Sequence, residues 1–296
     1  MHATATPLNR EIIEHHRQPP SAIAFMARAL LPSPGLPKDG EFPRITQRWT
    51  GLRFDREQVD AYRRATGQRD GGSISVLYPH VAGFRLQMAL LTHPAYPLPI
   101  WGALQIRNRL VRHRHIGPGE TLDLETRIGA HRRLEKGIEI DLVSRLANGA
   151  GCCWESVITY FYRGRFGPAE APAPASNAPD LTGAALIDRY RTPSGGGWQF
   201  GKLTGDYNGI HNWSWYARRL GFPSAFLHPQ RAAGMCLARL DEPESAAQSL
   251  QLWIKGPVFY GAKVVLNAAP ADAGTRFGLS LEGDDRVALS GLWQAL

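Results

Sequence analysis

Two residues that exchange protons near neutral pH lie close together in FGKLTGDYNGIHNWSWYARRLGF, residues 200–222. Asp206 precedes His211 by five residues, and Gly205 and Gly209 lie beside them. A carboxylate and an imidazole about one water molecule apart can act together as general acid and general base. The glycines favour the irregular backbone angles of such a loop. The pair could therefore do acid–base chemistry, although Gly-Asp and a later His also occur in ordinary turns.

The composition predicts a globular protein. Of the 296 residues, 43% are hydrophobic and 20% charged, which suits one large domain or two ordinary ones. The best apolar stretch near the N-terminus, residues 23–31, is interrupted by Arg28, so we expect neither a membrane span nor a secretion signal. The odd set Cys152, Cys153 and Cys236 suits a reducing compartment, and we expect a cytoplasmic protein.

The net charge of +8 indicates an anionic partner without identifying it. Nucleic acid is not expected, because the arginines are scattered and no recognition helix or zinc motif is visible. In the strand-like run at residues 105–115, Arg107 and Arg109 share one face by their period of two. That face is expected to be solvated, with contact to a ligand phosphate as the alternative.

A Pro/Ala-rich segment at residues 167–180 predicts an extended linker between two halves. We therefore expect an N-terminal extension over residues 1–44, a first domain over residues 45–166 and a second over residues 181–296. The second half would carry the acid–base pair.

The two halves repeat the same order of signals. Asp55 and Gly67 predict the cap and the end of a helix in the first half, and Asn212 and Gly221 do so in the second. In each half a proline then opens an apolar helix, predicted over residues 78–91 in the first, and strand-like runs follow. This order predicts a duplicated α+β unit.

The second half resembles the MaoC-like dehydratases, the (R)-specific enoyl-CoA hydratase group. Their pattern runs Ser/Thr-Gly-Asp-x-Asn-Pro-x-His, a helix, Gly-Phe, and a His-Gly that opens the central helix. Residues 203–235 read LTGDYNGIHNWSWYARRLGFPSAFLHPQRAAGM. The resemblance implies an α+β double hot-dog fold, with two long central helices each wrapped by an antiparallel sheet. No Asp-x-x-x-x-His precedes the first helix, so the first half is expected to be degenerate and to supply the wall and acyl tunnel.

The same resemblance implies a hydro-lyase that hydrates a 2-enoyl thioester or dehydrates a 3-hydroxyacyl thioester. Asp206 and His211 would be the catalytic pair that holds the water, in an irregular excursion from a strand, with Asn208 and Gly209 beside it. No cofactor and no metal are implied. The implied partner is an acyl-CoA or an acyl-carrier-protein thioester, and the resemblance allows a homodimer of double hot-dog chains.

Pro229 departs from the family pattern, whose glycine there resembles an oxyanion donor through its backbone N–H. Proline has no N–H, so the backbone of Gln230 or Arg231 at the same helix start is the expected replacement. His228 would be a cap, a ligand contact or a surface group. Two other functions stay open: a non-catalytic acyl-CoA or acyl-carrier binding protein, which Pro229 favours, and, less favoured, a thioesterase.

Three aromatic residues follow the pair at helical spacing: Trp213, Trp215 and Tyr216. Their spacing favours ordinary packing in the core or in an interface. Lining of an acyl pocket is the alternative.

Overall fold

The computed structural model describes residues 11–37, 40–170 and 177–296. Residues 1–10 and 38–39 of the predicted N-terminal extension and residues 171–176 of the predicted linker lie outside the described residues. Within these ranges the strands form one sheet. The helices over residues 78–91 and 229–237 contribute side chains to the same hydrophobic core as the sheet.

The strands are β1 Ile12–His16, β2 Ile45–Leu52, β3 Leu104–Arg112, β4 Leu122–Leu134, β5 Gly137–Asn148, β6 Gly151–Arg163, β7 Ala185–Arg191, β8 Gln248–Ile254, β9 Lys263–Ala271, β10 Gly274–Leu281 and β11 Val287–Ala295. The helices are α1 Ala22–Arg28, α2 Arg56–Thr66, α3 Tyr78–Leu91, α4 Gly197–Thr204, α5 Ser214–Arg219 and α6 Pro229–Leu237. Short 3₁₀ turns cover Ile100–Gly102 and Gly209–His211.

The sheet shows the duplication directly. Its order is β1-β2-β4-β5-β6-β3-β8-β11-β10-β9-β7, so the second half repeats the order of the first in reverse. The halves join where β3 pairs antiparallel with β8, with Arg107 opposite Trp253 and Arg112 opposite Gln248. The architecture is therefore one continuous sheet shared by two repeats, each with its own central helix.

The first-half helices agree with the sequence prediction. Asp55 caps α2, because its Oδ1 accepts the Gln58 N–H at 3.1 Å, and Gly67 ends the helix with a φ of 80°. The central helix α3 covers the predicted residues 78–91 and is buried along almost its whole length. A helix this apolar all round needs cover on every side, which the sheet and the neighbouring helices provide.

The second-half helices differ in detail. The central helix α6 has nine residues, against fourteen in α3. The predicted cap Asn212 is wrong, because α5 begins at Ser214 with Trp213 as its N-cap residue. Asn212 instead closes the preceding 3₁₀ turn by donating its N–H to the Gly209 carbonyl at 3.0 Å.

Each half packs one helix against the central helix of the other half: α2 lies against α6, and α4 lies against α3. The side chain of Gln68, just after α2, donates to the Gly234 carbonyl in α6 at 3.2 Å. Reciprocally, Arg85 in α3 donates to the Lys202 carbonyl in α4 at 3.3 Å. This exchange ties the repeats together through helices as well as through the sheet.

The described part of the N-terminal extension is built into this structure. Strand β1 pairs in parallel with β2, and the Pro20 carbonyl accepts a hydrogen bond from Arg85 at 3.4 Å. No helix in the described ranges is both long and apolar enough to cross a membrane.

Arg107 is neither on a solvated face nor free to contact a ligand phosphate, the two expectations from the sequence. Its guanidinium makes two hydrogen bonds to the buried Glu139 carboxylate, at 3.0 and 2.5 Å, while Arg109 is exposed. A guanidinium paired in this way offsets the desolvation cost of a buried carboxylate, which is high when the carboxylate has no partner. Arg107 is therefore a structural residue of the sheet.

The helix exchange makes Gly234 sensitive to substitution. A Cβ there would lie 2.6 Å from Thr66 Cγ2 and 2.9 Å from Tyr62 Oη, so we expect Gly234→Ala to lower the free energy of unfolding by about 1–3 kcal/mol. Urea unfolding measures this change. Gly83→Ala is the matched control in α3, because its Cβ would meet one atom only, Cδ2 at the far end of the Leu124 side chain. Equal effects of the two substitutions would contradict the packing argument.

Candidate active site

The loop that carries Asp206 follows a helix, not the strand that the sequence suggested. Helix α4 ends at Thr204, and Gly205 follows in the left-handed region with a φ of 80°. A non-glycine residue is strained there. At the other end of α4, a Cβ on Gly197 would collide with the His211 carbonyl oxygen. Glycine at this position lets α4 pack directly on the turn that carries the histidine.

Asp206 and His211 face each other across a short gap. Asp206 Oδ1 accepts the Asn208 N–H at 3.0 Å, and its Oδ2 lies 3.6 Å from His211 Nε2. His211 Nδ1 lies 2.9 Å from the Phe226 carbonyl, which can only accept, so Nδ1 carries the proton and Nε2 presents a lone pair. A separation of 3.6 Å is longer than a direct hydrogen bond and suits a bridging hydroxyl or water.

The protonation state of His211 follows from its surroundings. Burial lowers the pKa of His211 below its ordinary 6.5, while the nearby Asp206 charge opposes that shift. The side chains of His211 and Asp206 are 5% and 17% exposed. The pair is therefore a neutral imidazole in a dry position next to a carboxylate that keeps one edge in solvent.

His228 belongs to the same cluster. Its ring stacks on His211 with centroids 3.9 Å apart, and its Nε2 lies 3.1 Å from the Asp206 carbonyl oxygen. Burial, and then the neighbouring His211, hold the pKa of His228 well below its usual range. Its Nδ1 is buried and has no partner among the described residues. His228 is thus neutral and links the catalytic loop to the start of α6.

Asn208 and Gly209 shape the loop. Asn208 Oδ1 accepts the Ile210 N–H at 3.2 Å and so caps the 3₁₀ turn. The irregular backbone expected at Gly209 does not involve a positive φ. It is small for another reason, because a Cβ would lie 2.8 Å from Tyr216 Cδ1 and 3.0 Å from Trp213 Cε3.

The two predicted oxyanion donors at the start of α6, the backbone N–H groups of Gln230 and Arg231, differ in whether they already have a hydrogen-bond acceptor. The Arg231 N–H donates to the His228 carbonyl at 2.9 Å, and its guanidinium donates to the Ala65 and Gly195 carbonyls. The backbone N–H of Gln230 has no hydrogen-bond partner in the described part of the chain. Gln230 therefore offers the free N–H at this helix end.

A buried polar cluster from the first half adjoins the site and was missed in the sequence. His80 Nδ1 lies 3.2 Å from Gln87 Nε2, and Gln87 Oε1 accepts the Tyr160 hydroxyl at 2.9 Å. His80 Nε2 lies 3.2 Å from the Gln105 amide and 3.4 Å from that of Gln230. Burial lowers the pKa of His80 to about 3. After burial and Tyr162, the Asp206 charge also raises the pKa of Tyr160, so the cluster and the catalytic loop share one electrostatic environment.

A sequence signal for this cluster was available. His80 and Gln230 each directly follow the proline near the start of a central helix. They occupy equivalent positions in the two repeats, so their contact lies where the two helix starts meet. Comparing the two proline-led helices residue by residue would have placed His80 beside the site.

The first half also retains a degenerate copy of the catalytic loop. Residues 66–73 read TGQRDGGS, and residues 204–211 read TGDYNGIH. The glycine after the threonine has a φ of 80° in both copies. Gln68 therefore stands where the second half has Asp206, and Ser73 where it has His211. Neither replacement titrates near neutral pH, which explains why no acid–His pair is found in this copy.

A large cavity lies at the degenerate copy. It has a volume of about 860 Å³, and Gln68, Ser73 and Leu237 are among its lining residues, but Asp206 and His211 are not. It adjoins the C-terminal end of α6, the end opposite to His228. The chemical groups, and not the cavity volume, therefore identify the candidate site.

Asp206, His211 and His228 each place a ligand atom within 4.8 Å of the others, so this trio is able to hold a metal ion. The hydrogen bond from His228 Nε2 to the Asp206 carbonyl competes with that use, because a protonated nitrogen cannot be a ligand.

No family model matches the chain. The chain is 27% identical over 257 residues to 3-hydroxyacyl-thioester dehydratase X of Mycobacterium tuberculosis, covering 86% of this chain and 91% of that protein. The crystal structure of HtdX from Mycobacterium tuberculosis matches with a TM-score of 0.69 at 24% identity, over 84% of this chain and 99% of that one. A MaoC-like dehydratase from Phytophthora capsici matches with a TM-score of 0.66 at 18% identity, over 86% and 95%.

These matches confirm the resemblance to the MaoC-like dehydratases. The double hot-dog fold is confirmed by a Mycobacterium tuberculosis protein described as having that fold, which matches with a TM-score of 0.54 at 16% identity over 89% of this chain and 98% of that one. The repeated strand order agrees with it.

Three buried neutral histidines make stability depend on pH. The pKa values of His80, His211 and His228 are lowered in the folded state, so below pH 6.5 the unfolded chain binds protons that the folded chain does not. The free energy of unfolding should therefore fall as pH decreases. For His80, whose pKa is lowered to about 3, the loss between pH 7 and pH 5 should be about 2 kcal/mol.

His80→Gln tests this expectation without touching the catalytic pair. Urea unfolding at pH 7 and pH 5 should show a pH effect about 2 kcal/mol smaller than in the parent. The exposed His15→Gln is the control and should keep the parental dependence. An unchanged dependence in His80→Gln would show that His80 is not a buried neutral histidine.

Proposed function

We propose that this chain is a hydro-lyase that interconverts a 2-enoyl thioester and a 3-hydroxyacyl thioester. The observation that carries the proposal is the 3.6 Å gap between Asp206 Oδ2 and His211 Nε2, with the imidazole oriented by the Phe226 carbonyl. The relative named 3-hydroxyacyl-thioester dehydratase supports the same reaction class. In this proposal residues 45–166 are a degenerate hot-dog domain, residues 167–180 a linker and residues 181–296 the catalytic domain.

In the hydration direction, a water in the gap donates one hydrogen bond to each member of the pair. His211 Nε2 takes a proton as the water oxygen bonds to Cβ, and the electron pair of the double bond moves through Cα onto the thioester oxygen. The resulting imidazolium then returns its proton to Cα, so the elements of water are added. The Asp206 carboxylate orients the water and stabilises the imidazolium. Each general acid or base of this kind raises the reaction rate by about 10²–10⁴-fold.

The thioester oxygen needs a donor while it carries negative charge. The start of α6 supplies the positive end of a helix dipole and the free N–H of Gln230, two residues from His228. Pro229 supplies no N–H, and the Arg231 N–H is engaged by the His228 carbonyl. We therefore assign the oxyanion donor to Gln230, held against the first half by its side-chain contact with His80.

The carrier of the acyl group is either coenzyme A or an acyl carrier protein, and a homodimer of double hot-dog chains is compatible with this function. The second candidate function is a non-catalytic acyl-thioester binding protein, favoured by the lost N–H at Pro229. One assay separates the candidates. Loss of enoyl-thioester absorbance without free thiol means hydration, free thiol means hydrolysis, and neither with retained binding means a binding protein.

Substituting the pair should remove most of the hydration activity. We expect Asp206→Asn and His211→Ala each to lower kcat/KM on crotonyl-CoA by about 10²–10⁴-fold with folding intact. Asp272→Asn and His15→Ala are matched controls on exposed positions. Near-parental kcat/KM in either loop variant would reject the assignment. The parent is also assayed with EDTA, because lost activity would assign the trio to a metal.

Pro229→Gly tests the oxyanion donor. If Gln230 already serves, restoring an N–H at position 229 should change kcat/KM by less than about tenfold, since no donor is missing. A gain of about 10²–10³-fold would instead show that the parent lacks one donor. A crystal structure with a saturated acyl-CoA should place the thioester oxygen within hydrogen-bond distance of the Gln230 nitrogen. A carbonyl oxygen that points away from α6 would contradict the assignment in either case.

A further inference from the structure

Three indoles lie open on the surface beside the catalytic loop. Trp198, Trp213 and Trp215, which we call the tryptophan surface, are 45%, 42% and 54% exposed. Their rings contact in series, with centroids 5.5 Å apart for the first pair and 6.1 Å for the second. Since a tryptophan side chain has about 250 Å² of surface, roughly 350 Å² of indole faces water. Exposed apolar patches of a few hundred Å² are commonly functional.

The tryptophan surface is attached to the acid–base pair. Tyr207 directly follows Asp206, and its ring lies 5.6 Å from that of Trp198. Trp213 comes two residues after His211, and the missing Cβ of Gly209 leaves room for it. The exposed tryptophans and the pair therefore lie in one continuous segment, residues 198–215, with Trp198 in α4 and Trp215 in α5. A molecule docked on these indoles lies next to the loop that carries the pair.

The charges around the tryptophan surface are positive. Lys202, Arg218 and Arg219 are exposed, and the Arg219 guanidinium lies 5.5 Å over the Trp215 ring. Over residues 195–222, Asp206 is the one acidic residue in the sequence. With a net charge of +8, a second copy of the chain would meet like charge, whereas an acidic partner would meet opposite charge.

Two anionic carriers of acyl thioesters exist, the nucleotide coenzyme A and the acidic acyl carrier proteins. The adenine of coenzyme A would cover about one indole. The exposed apolar area here is larger, because it comprises three indoles and the exposed Leu220. Broad faces with tryptophan and arginine are typical of protein interfaces. We propose that the tryptophan surface docks an acidic acyl carrier protein and presents its thioester to Asp206 and His211. This inference rests on the proposed function and names the carrier.

Binding of a carrier that cannot react tests the docking by itself. The probe is an acidic acyl carrier protein loaded with a butanoyl group, which has no double bond to hydrate, and calorimetry gives its Kd. Trp215→Ala and Arg218→Glu should each weaken binding at least tenfold. Trp101→Ala and Arg109→Glu, at exposed positions of the first half, are the matched controls and should change Kd less than twofold. Equal Kd in all variants would overturn the proposal.

Turnover separates this inference from the proposed function. With crotonyl thioesters, Trp215→Ala should lose at least tenfold in kcat/KM on the carrier-protein substrate and keep its value on the CoA substrate. Equal losses on both, or weakened binding of coenzyme A alone, would show a nucleotide platform and overturn the proposal. If the parent turns over neither substrate but binds the butanoyl carrier through this surface, the reaction is wrong and the docking stands.

Two other occupants give different results. If Trp215→Ala converts a parental dimer into a monomer in sedimentation, the surface is an interface between copies of this chain. If the parent binds vesicles containing phosphatidylglycerol and Trp215→Ala does not, while the carrier binds both equally, the surface is a lipid contact. Each of these results would overturn the carrier-protein assignment.

Discussion

The site depends on one hydrogen bond, from His211 Nδ1 to the Phe226 carbonyl at 2.9 Å. It fixes the tautomer, so the lone pair of Nε2 points toward Asp206 and not away from it. Burial keeps the imidazole neutral, which a base requires, and the glycine at position 197 lets α4 press on the turn without a collision. Without that orientation, the 3.6 Å gap between His211 and Asp206 would not define a place for water.

The double repeat explains how so small a loop is held in place. The β3–β8 pairing joins the two halves into one sheet, and each half packs a helix against the central helix of the other. The first half therefore contributes to the site although its own copy of the loop has Gln68 and Ser73 in place of the pair. Its contribution is the buried cluster around His80, which contacts Gln230 at the start of α6. In the proposed function, duplication divides the work between a supporting first repeat and a second repeat that carries the acid–base pair.

Desolvation has two consequences at this site. It lowers the pKa of the buried histidines, so they stay neutral at the cost of stability in acid. In the proposed reaction it would also strengthen a donor that faces the thioester oxygen. Next to Pro229, the N–H of Gln230, which has no partner among the described residues, would be that donor. The exposed indoles beside the loop are the opposite case, because they remain in water unless a partner covers them.

The sequence by itself determined the local features of this protein. Signals between near neighbours in the sequence predicted the capping residue Asp55 and the proline-led helix at residues 78–91. Signals of the same kind predicted the duplication and the loop carrying Asp206 and His211. Only the tertiary structure decided the rest. The ion pair of Arg107 with Glu139 and the cluster around His80 join elements far apart in the chain. The helix before Gly205, which the sequence did not predict, packs against α3 of the first half. The exposure of Trp215 was also decided there, because helical spacing shows which residues share a face but not whether another element covers that face.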